Sequence, residues 1–327
     1  MNILITGGAG YIGSHIAEQL SVRNYKLIII DNLSTGYRNL INKKSIFIKG
    51  DIKNKKLLIS VLRKYNIDTI IHLAALLNVK ESEKKKLKYK EINIRGTKNL
   101  LSACKNSNVK NFLFSSTCAV YGNVNGKVNE RKKLNPSNYY GYTKYKAENL
   151  IKEYSRKYKF KYSILRYFNV AGASNSKKIG EIQTSHGHLI KNIAIESLSK
   201  NPKILIYGKN YLTRDGTCIR DYIHVSDLAD IHIKSLEKLN VDRKSFIINC
   251  GYGKGFSVLD VINIFKKIKK NLKVVFKERR LGDIPEVYSD TKKLKKILKW
   301  KPKFNDMNLI IKSAIIWERK LKNLNIK

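Results

Sequence analysis

The chain has 327 residues, 43% of them hydrophobic, and only four prolines, which suits one large core or two modest ones and gives no sign of a disordered tail. Lysine and arginine number 66 against 25 acidic residues, a net charge of +41, but the lysines are scattered through every segment and no nucleic-acid module accompanies them. The charge therefore reads as a solvated lysine surface, with weak polyanion binding at low salt and no specific nucleic-acid partner. No stretch approaches the ~18 uninterrupted apolar residues of a membrane span. No signal peptide is expected, and Cys104, Cys118, Cys218 and Cys250 lack metal-ligand spacing, so a cytoplasmic protein with reduced thiols is expected.

In chain order, NILIT is the first strand, and ITGGAGYIGSHIAEQL turns from it into a helix over 11–22 that carries Ile12, Ile16 and Leu20 on one face. Gly7, Gly8, Gly10 and Gly13 permit a tight turn and a close backbone approach to a pyrophosphate, which the free N–H groups of the helix start favour. KLIIID follows as a strand ending at Asp31, 21 residues after Gly10. An acidic group there hydrogen-bonds an adenosine ribose and repels a 2′-phosphate, so NAD is expected rather than NADP. SIFIKGD, a third strand, ends at Asp51, which is placed to reach the adenine. A helix over 55–65, the strand TIIHLAA, a helix over 90–107, the strand NFLFSST, a helix over 140–158 and the strand YSILRYFNV continue the series. Buried strands joined by crossover helices predict an α/β fold, a Rossmann doubly wound parallel sheet, over residues 1–170. Beyond Asn169 helices and short strands mix, and a smaller α/β lobe is expected over 171–327, with segments near 220–250 free to return to the first sheet.

The stretch YYGYTKYK offers two tyrosine–lysine pairs at the same spacing, Tyr140 with Lys144 and Tyr142 with Lys146. Positions 140 and 142 point about 200° apart on a helix, so one pair at most faces a cleft. From Tyr140 the stripe runs Lys144, Ala147, Ile151, Tyr154, a largely apolar face; from Tyr142 it runs Lys146, Asn149, Glu153, Arg156, a solvated one. Tyr140 is the expected base. A free phenol titrates near ~10, and both Lys144 and the positive ring of oxidised NAD are expected to lower that value.

With TGGAGYIGSH, DNLSTG, FSSTCAVYG, YYGYTK, LRYFNVAGA, GTCIRDYIHVSDLAD and RRLGDIPEVYSD in this order, the chain resembles the UDP-glucose 4-epimerases from about residue 2 to 300. These are extended short-chain dehydrogenase/reductase enzymes. The resemblance implies tightly held NAD, a UDP-sugar lobe, and a homodimer packed through helices here at about 90–107 and 140–158. It implies that Tyr140, with Thr117 sharing the proton and Lys144 beside it, deprotonates the sugar 4-hydroxyl, and that a 4-keto sugar turns in the pocket and is reduced on its other face. The cofactor site it implies draws on Gly7, Gly10, Tyr11, Ile12, Gly13, Asp31, Asn32, Asp51, Ile52, Ala74, Asn93, Tyr140, Lys144 and Tyr167, with Asn93 beginning its helix. The implied substrate contacts are Thr117, Asn169, His188, Arg220, Arg280, Asp283 and Val287, the two arginines holding the diphosphate and Asp283 a ribose. No metal is expected.

Departures from the pattern bear on substrate. Leu77 replaces a lysine that some epimerases use against the cofactor. Val287 stands four residues after Asp283, where members restricted to glucose and galactose have a bulky tyrosine; the smaller side chain leaves room for an N-acetyl group, and UDP-GlcNAc and UDP-GalNAc are expected substrates alongside UDP-glucose and UDP-galactose. Dehydratases of the same superfamily follow the threonine with Asp and Glu, whereas Cys118 and Ala119 follow Thr117 here and cannot do that acid–base work. A 4-epimerase acting on UDP-glucuronate or another UDP-sugar stays open as an alternative. A catalytically silent NAD-binding regulator is disfavoured by the intact Thr117, Tyr140 and Lys144.

Overall fold

Near-continuous runs of Ile, Leu, Val and Phe make strands that must be covered on both faces. The computed structural model describes residues 1–182, 188–280 and 282–323. Its first part runs β1 (Asn2–Thr6), α1 (Tyr11–Leu20), β2 (Lys26–Asp31), β3 (Ile46–Lys49), α2 (Lys55–Lys64), β4 (Thr69–His72), α3 (Val79–Lys84), α4 (Lys86–Tyr89), α5 (Thr97–Ala103), β5 (Asn111–Thr117), β6 (Gly126–Val128), α6 (Tyr139–Tyr158) and β7 (Lys161–Tyr167). The rest follows in the same manner. It comprises β8 (Asn169–Ala171), α7 (Leu189–Glu196), β9 (Lys203–Tyr207), β10 (Ile219–His224), α8 (Val225–Asp242), β11 (Phe246–Cys250), β12 (Gly255–Ser257), α9 (Val258–Lys266), β13 (Lys273–Lys277), β14 (Glu286–Ser289), α10 (Lys292–Leu298) and α11 (Met307–Asn323).

The large sheet is ordered β11-β7-β5-β4-β1-β2-β3, with every pair parallel. One face packs on α2, α5 and α6 through Leu58, Leu62, Leu100, Ala147 and Ile151. The other packs on α1 and α8 through Ile16, Leu20, Ile233 and Leu236. Strand order reverses between β1 and β4, which opens a crevice at the carboxyl ends of these two strands.

The sequence places YSILRYFNV as one closing strand, but the structure divides it. β7 stays in the large sheet, Phe168 turns into a cluster with Val120, Tyr121 and Val287, and Asn169–Ala171 leaves as β8 to pair with β10. β11 takes the edge of the large sheet beside β7 instead. The predicted 90–107 helix is also not uniform. α4 passes into a π-helical stretch, Lys90–Gly96, before α5 and a 3₁₀ turn at Cys104–Asn106. Asn93 therefore lies inside a widened turn rather than at a helix start.

The smaller sheet is ordered β12-β10-β14-β6, and β9 pairs with β13 apart from it. Its core gathers α7, α9 and α11 around Tyr222, Phe265 and Ile311. β6 comes from early in the chain yet pairs with β14, so the substrate-side sheet borrows a strand from the segment after Thr117.

Candidate active site

The glycine turn joins β1 to α1. Gly7 has φ +75°, and a Cβ there would stand 2.7 Å from Ala74 N, while a Cβ on Gly13 would collide with Gly7 O. Gly10 caps α1 with no side chain, so the first-turn N–H groups at Tyr11, Ile12 and Gly13 face the crevice as an anion site. The Tyr11 hydroxyl donates to Gly172 O at 2.6 Å and ties the turn to the loop after β8. Asp31, at the end of β2, accepts from Ala9 N at 3.0 Å and Leu33 N at 2.8 Å. Burial pushes its carboxyl up and those two N–H bonds draw it back. Asn32 Nδ2 donates to Asp51 Oδ2 at 3.0 Å, so the two acidic strand ends form one rim, with Ile52 buried beneath it.

α6 is pinned at its start from three sides. Asn138 Oδ1 accepts from Gly141 N at 2.8 Å, Ser82 Oγ from Tyr140 N at 3.0 Å, and Glu83 Oε1 from Tyr139 N at 2.6 Å. These caps satisfy N–H groups that a helix leaves free. Tyr140 is 9% exposed and Tyr142 38%, so the two faces of the helix divide at the surface. Lys146 folds its ammonium over the Tyr142 ring.

Thr117, the last residue of β5, meets the Tyr140 hydroxyl; its hydrogen bonding draws the phenol down, but burial pushes it well above the ordinary tyrosine value. Lys144 is buried, its Nζ donates to Ser115 O at 2.8 Å and it lies 5.0 Å from the centre of the Phe114 ring. Burial lowers its ammonium to about 7, and Glu148 opposes that shift. Among the protein's own groups, burial penalises phenolate more than the Thr117 hydrogen bond favours it, and the Lys144 ammonium is turned to the Ser115 carbonyl on β5.

Asn93 is buried, accepts from Leu76 N at 2.8 Å, and donates to Leu76 O at 3.0 Å and Thr143 Oγ1 at 3.0 Å. It thus fastens the loop holding Ala74 to the helix that holds Tyr140, while Leu77 points outward at 56% exposure. Tyr167, opposite Thr117 in the β5–β7 register, turns its hydroxyl to His232 Nε2 at 2.5 Å.

On the substrate side, Arg220 and Val287 are register partners on β10 and β14. Asp283 lies within electrostatic reach of both Arg220 and Arg280, which oppose the upward push of burial on its carboxyl. The Arg280 guanidinium sits 3.8 Å over the Tyr207 ring. Val287 packs with Cys118, Val120, Tyr121 and Phe168. The Cys118 thiol, pushed up to about 11 mainly by burial, feels the charge of Arg220 and lies beside Thr117. Asn169 begins β8, opposite Tyr222. His188 stands apart from this group, over half exposed, with Nδ1 3.5 Å from Glu181 Oε1.

The profile of the NAD dependent epimerase/dehydratase family matches residues 3–251. The chain belongs to that family. UDP-glucose 4-epimerase of Lactobacillus helveticus is 39% identical over 98% of this chain and 97% of its own length. The crystal structure of UDP-glucose 4-epimerase from Brucella ovis in complex with NAD has a TM-score of 0.91 at 36% identity, covering 96% of this chain and 97% of that one. The UDP-Glc/GlcNAc 4-epimerase of Campylobacter jejuni has a TM-score of 0.85 at 38% identity, covering 98% and 99%.

The residues of this epimerase-family chain fit a dinucleotide. The turn excludes side chains where a pyrophosphate would lie, α1 has no side-chain cap competing for it, and Asp31 offers carboxylate oxygens at the ribose end. Four residues beneath Tyr140 escaped the sequence reading: Ser115, Ser116, Glu148 and Arg166. Glu148 is fully buried and paired with Arg166 at 2.7 Å. Its signal was present, an acidic residue four after Lys144, but the stripe through Ala147 and Ile151 reads past it.

Proposed function

We propose that this protein inverts C4 of a UDP-hexose, interconverting UDP-glucose and UDP-galactose with NAD held throughout. The observation that carries the reading is the group formed by the Tyr140 hydroxyl, the Thr117 side chain and buried Lys144 at the carboxyl end of β5. Only β4 lies between β5 and the strand that ends in the glycine turn, so roughly 10 Å separates the two.

In this reading Tyr140 takes the proton from the sugar 4-hydroxyl and Thr117 Oγ1 shares that hydrogen bond. NAD, when bound, supplies the acceptor for the C4 hydride and returns it. A positive charge laid against the phenol favours phenolate, and it answers the burial that holds Tyr140 neutral. Arg220 and Arg280 grip the diphosphate while the 4-keto sugar turns, so that its other face receives the hydride and Tyr140 returns the proton to the C4 oxygen. Asp283 orients a ribose, and Asn169 and His188 lie on the substrate side. The 1–170 segment would serve the cofactor and 171–327 the sugar nucleotide, with α8 and β11 returning to the cofactor sheet.

Val287, a small apolar side chain packed beside Cys118, Val120 and Phe168, supports turnover of UDP-GlcNAc and UDP-GalNAc as well. The C. jejuni relative is described as a UDP-Glc/GlcNAc 4-epimerase, which agrees with that extension. A homodimer packed through the helices at about 90–107 and 140–158 is the expected assembly, and the exposed Tyr142 lies on the second of these. Four free cysteines suit the cytoplasm, and among the described residues no helix is long and apolar enough to cross a membrane. The test is incubation of purified protein with UDP-glucose, UDP-galactose, their N-acetyl counterparts and UDP-glucuronate without added NAD, followed by proton NMR. Equilibration of the first pair is expected; inertness toward both, in protein that contains NAD, would remove the assignment.

A further inference from the structure

Three consecutive residues at the end of β5 each engage one side chain of α6. Thr117 meets the Tyr140 hydroxyl, Ser115 O accepts from Lys144 Nζ at 2.8 Å, and Ser116 Oγ donates to Glu148 Oε1 at 2.6 Å. Tyr140, Lys144 and Glu148 stand four residues apart along the helix, so they lie one above another on a single face. The first two belong to the proposed chemistry. Glu148 has no part in it, yet it is fully buried.

A buried carboxylate needs charge and hydrogen-bond partners. Arg166, on the neighbouring strand β7, supplies both: Nε donates to Oε1 at 2.9 Å and one terminal nitrogen to Oε2 at 2.7 Å. The other terminal nitrogen donates to the Tyr121 hydroxyl at 3.0 Å, and that hydroxyl donates to Asn249 Oδ1 on β11 at 2.6 Å. Asn249 Nδ2 in turn donates to Val128 O, on the strand that pairs with β14. A buried ion pair adds little stability over well-packed apolar residues of the same volume. What this pair does impose is geometry.

We propose that Glu148 and Arg166 are positioning residues, whose ion pair clamps α6 onto the end of β5 and keeps Tyr140, Lys144 and Thr117 in register for proton transfer. This rests on the reading of Tyr140 as the base. The clamp also sets the charge around Lys144. Glu148 on α6 and His72 on β4 act on that ammonium directly, Arg166 on β7 is paired with Glu148, and Cys118 after β5 and Tyr167 on β7 act on Tyr140 one turn away. His72 is lowered to about 3 by burial and is neutral at working pH, and the charge of Arg166 is taken up by Glu148. Glu148 is therefore the group that favours the ammonium.

The double variant Glu148→Gln with Arg166→Met tests this, because it leaves no orphaned ion and keeps an acceptor for Ser116. Its epimerisation of UDP-glucose is compared with wild type and with Tyr140→Phe across pH. A loss in kcat of about tenfold to a hundredfold is expected from the misplaced base. KM should stay within about twofold of wild type, the sign that ground-state binding is untouched. The alkaline limb of the kcat profile should move to lower pH, since Lys144 loses its nearest negative charge. A folded double variant with wild-type kcat and profile overturns the proposal, as does a loss confined to KM with the limb unmoved. Ser116→Ala leaves the ion pair intact and cuts only its hold on β5; should the double variant not fold, wild-type kcat in Ser116→Ala overturns the proposal, and a fall in kcat at constant KM supports it. Wild-type turnover in Tyr140→Phe would instead sink the assignment of the base.

Discussion

Lys144 turns its ammonium to the carbonyl of Ser115, 2.8 Å away on β5, and lies over the Phe114 ring. Its environment is otherwise low in dielectric, and burial brings it down to about 7 from the ordinary lysine range. The residue is thus poised to be charged or neutral near working pH.

That poise has a consequence for stability. A lysine lowered by folding binds fewer protons in the native than in the unfolded state between pH 7 and its ordinary value. Its destabilising effect is therefore full below about 7 and is relieved as pH rises toward 10. Urea unfolding of wild type and Lys144→Met at stepped pH should show the difference moving in favour of wild type as pH rises, by at most about 1.4 kcal/mol per pH unit. A difference that stays flat from pH 7 to 10 would show the amine to be ordinary.

Tyr140→Phe should lower kcat by about 10²- to 10⁴-fold, the range for loss of a positioned base. The phenol is buried and its hydroxyl meets Thr117, so the fold should hold. Tyr142→Phe, on the exposed side of the same helix, should leave kcat within about twofold. Equal effects from both would mean that the helix face has been misread.

Gly7→Ala puts a methyl group 2.7 Å from Ala74 N at a backbone position of φ +75°. Strain of about 1–3 kcal/mol is expected, together with loss of retained NAD. The 260 nm absorbance released on denaturation, read beside the melting temperature, measures both.

Arg280→Ala should weaken UDP binding by about 10- to 100-fold, the cost of a charge-assisted contact. Arg280→Lys should recover little, because an ammonium cannot lie flat on the Tyr207 ring as the guanidinium does. Titration calorimetry with UDP checks this, and full recovery in the lysine variant would discount the stacking.

Val287→Tyr should spare UDP-glucose turnover while cutting UDP-GlcNAc turnover by about tenfold or more, as expected for steric narrowing of a pocket. Parallel kcat/KM values for the two substrates decide it; an unchanged ratio would show that position 287 does not wall the sugar site.

Much of this site is short-range and so legible in one dimension. The glycine turn follows from steric limits on φ and from a strand and helix adjoining it, and the separation of Tyr140 from Tyr142 follows from helical pitch alone. The split of YSILRYFNV was not legible, because both halves are equally apolar and only the neighbours available, β11 for β7 and β10 for β8, decide where each pairs. Asn93 was placed by its motif but not in its π-helical turn, since that geometry comes with its bonds to Leu76 and Thr143.

The amino-acid order by itself determined which face of the 140–158 helix is buried, where the backbone turns tightly between β1 and α1, and which strands are buried on both sides. Those properties depend on spacing over a few residues and on period. The tertiary structure alone decided that Lys144 meets Ser115, that Glu148 is locked to Arg166, and that a strand at 126–128 completes the sheet bearing Val287. These partners are separated by 18 to more than 150 residues, and no local preference of either one names the other. Packing selects them, because a buried charge or an open strand edge is costly until the fold brings its complement.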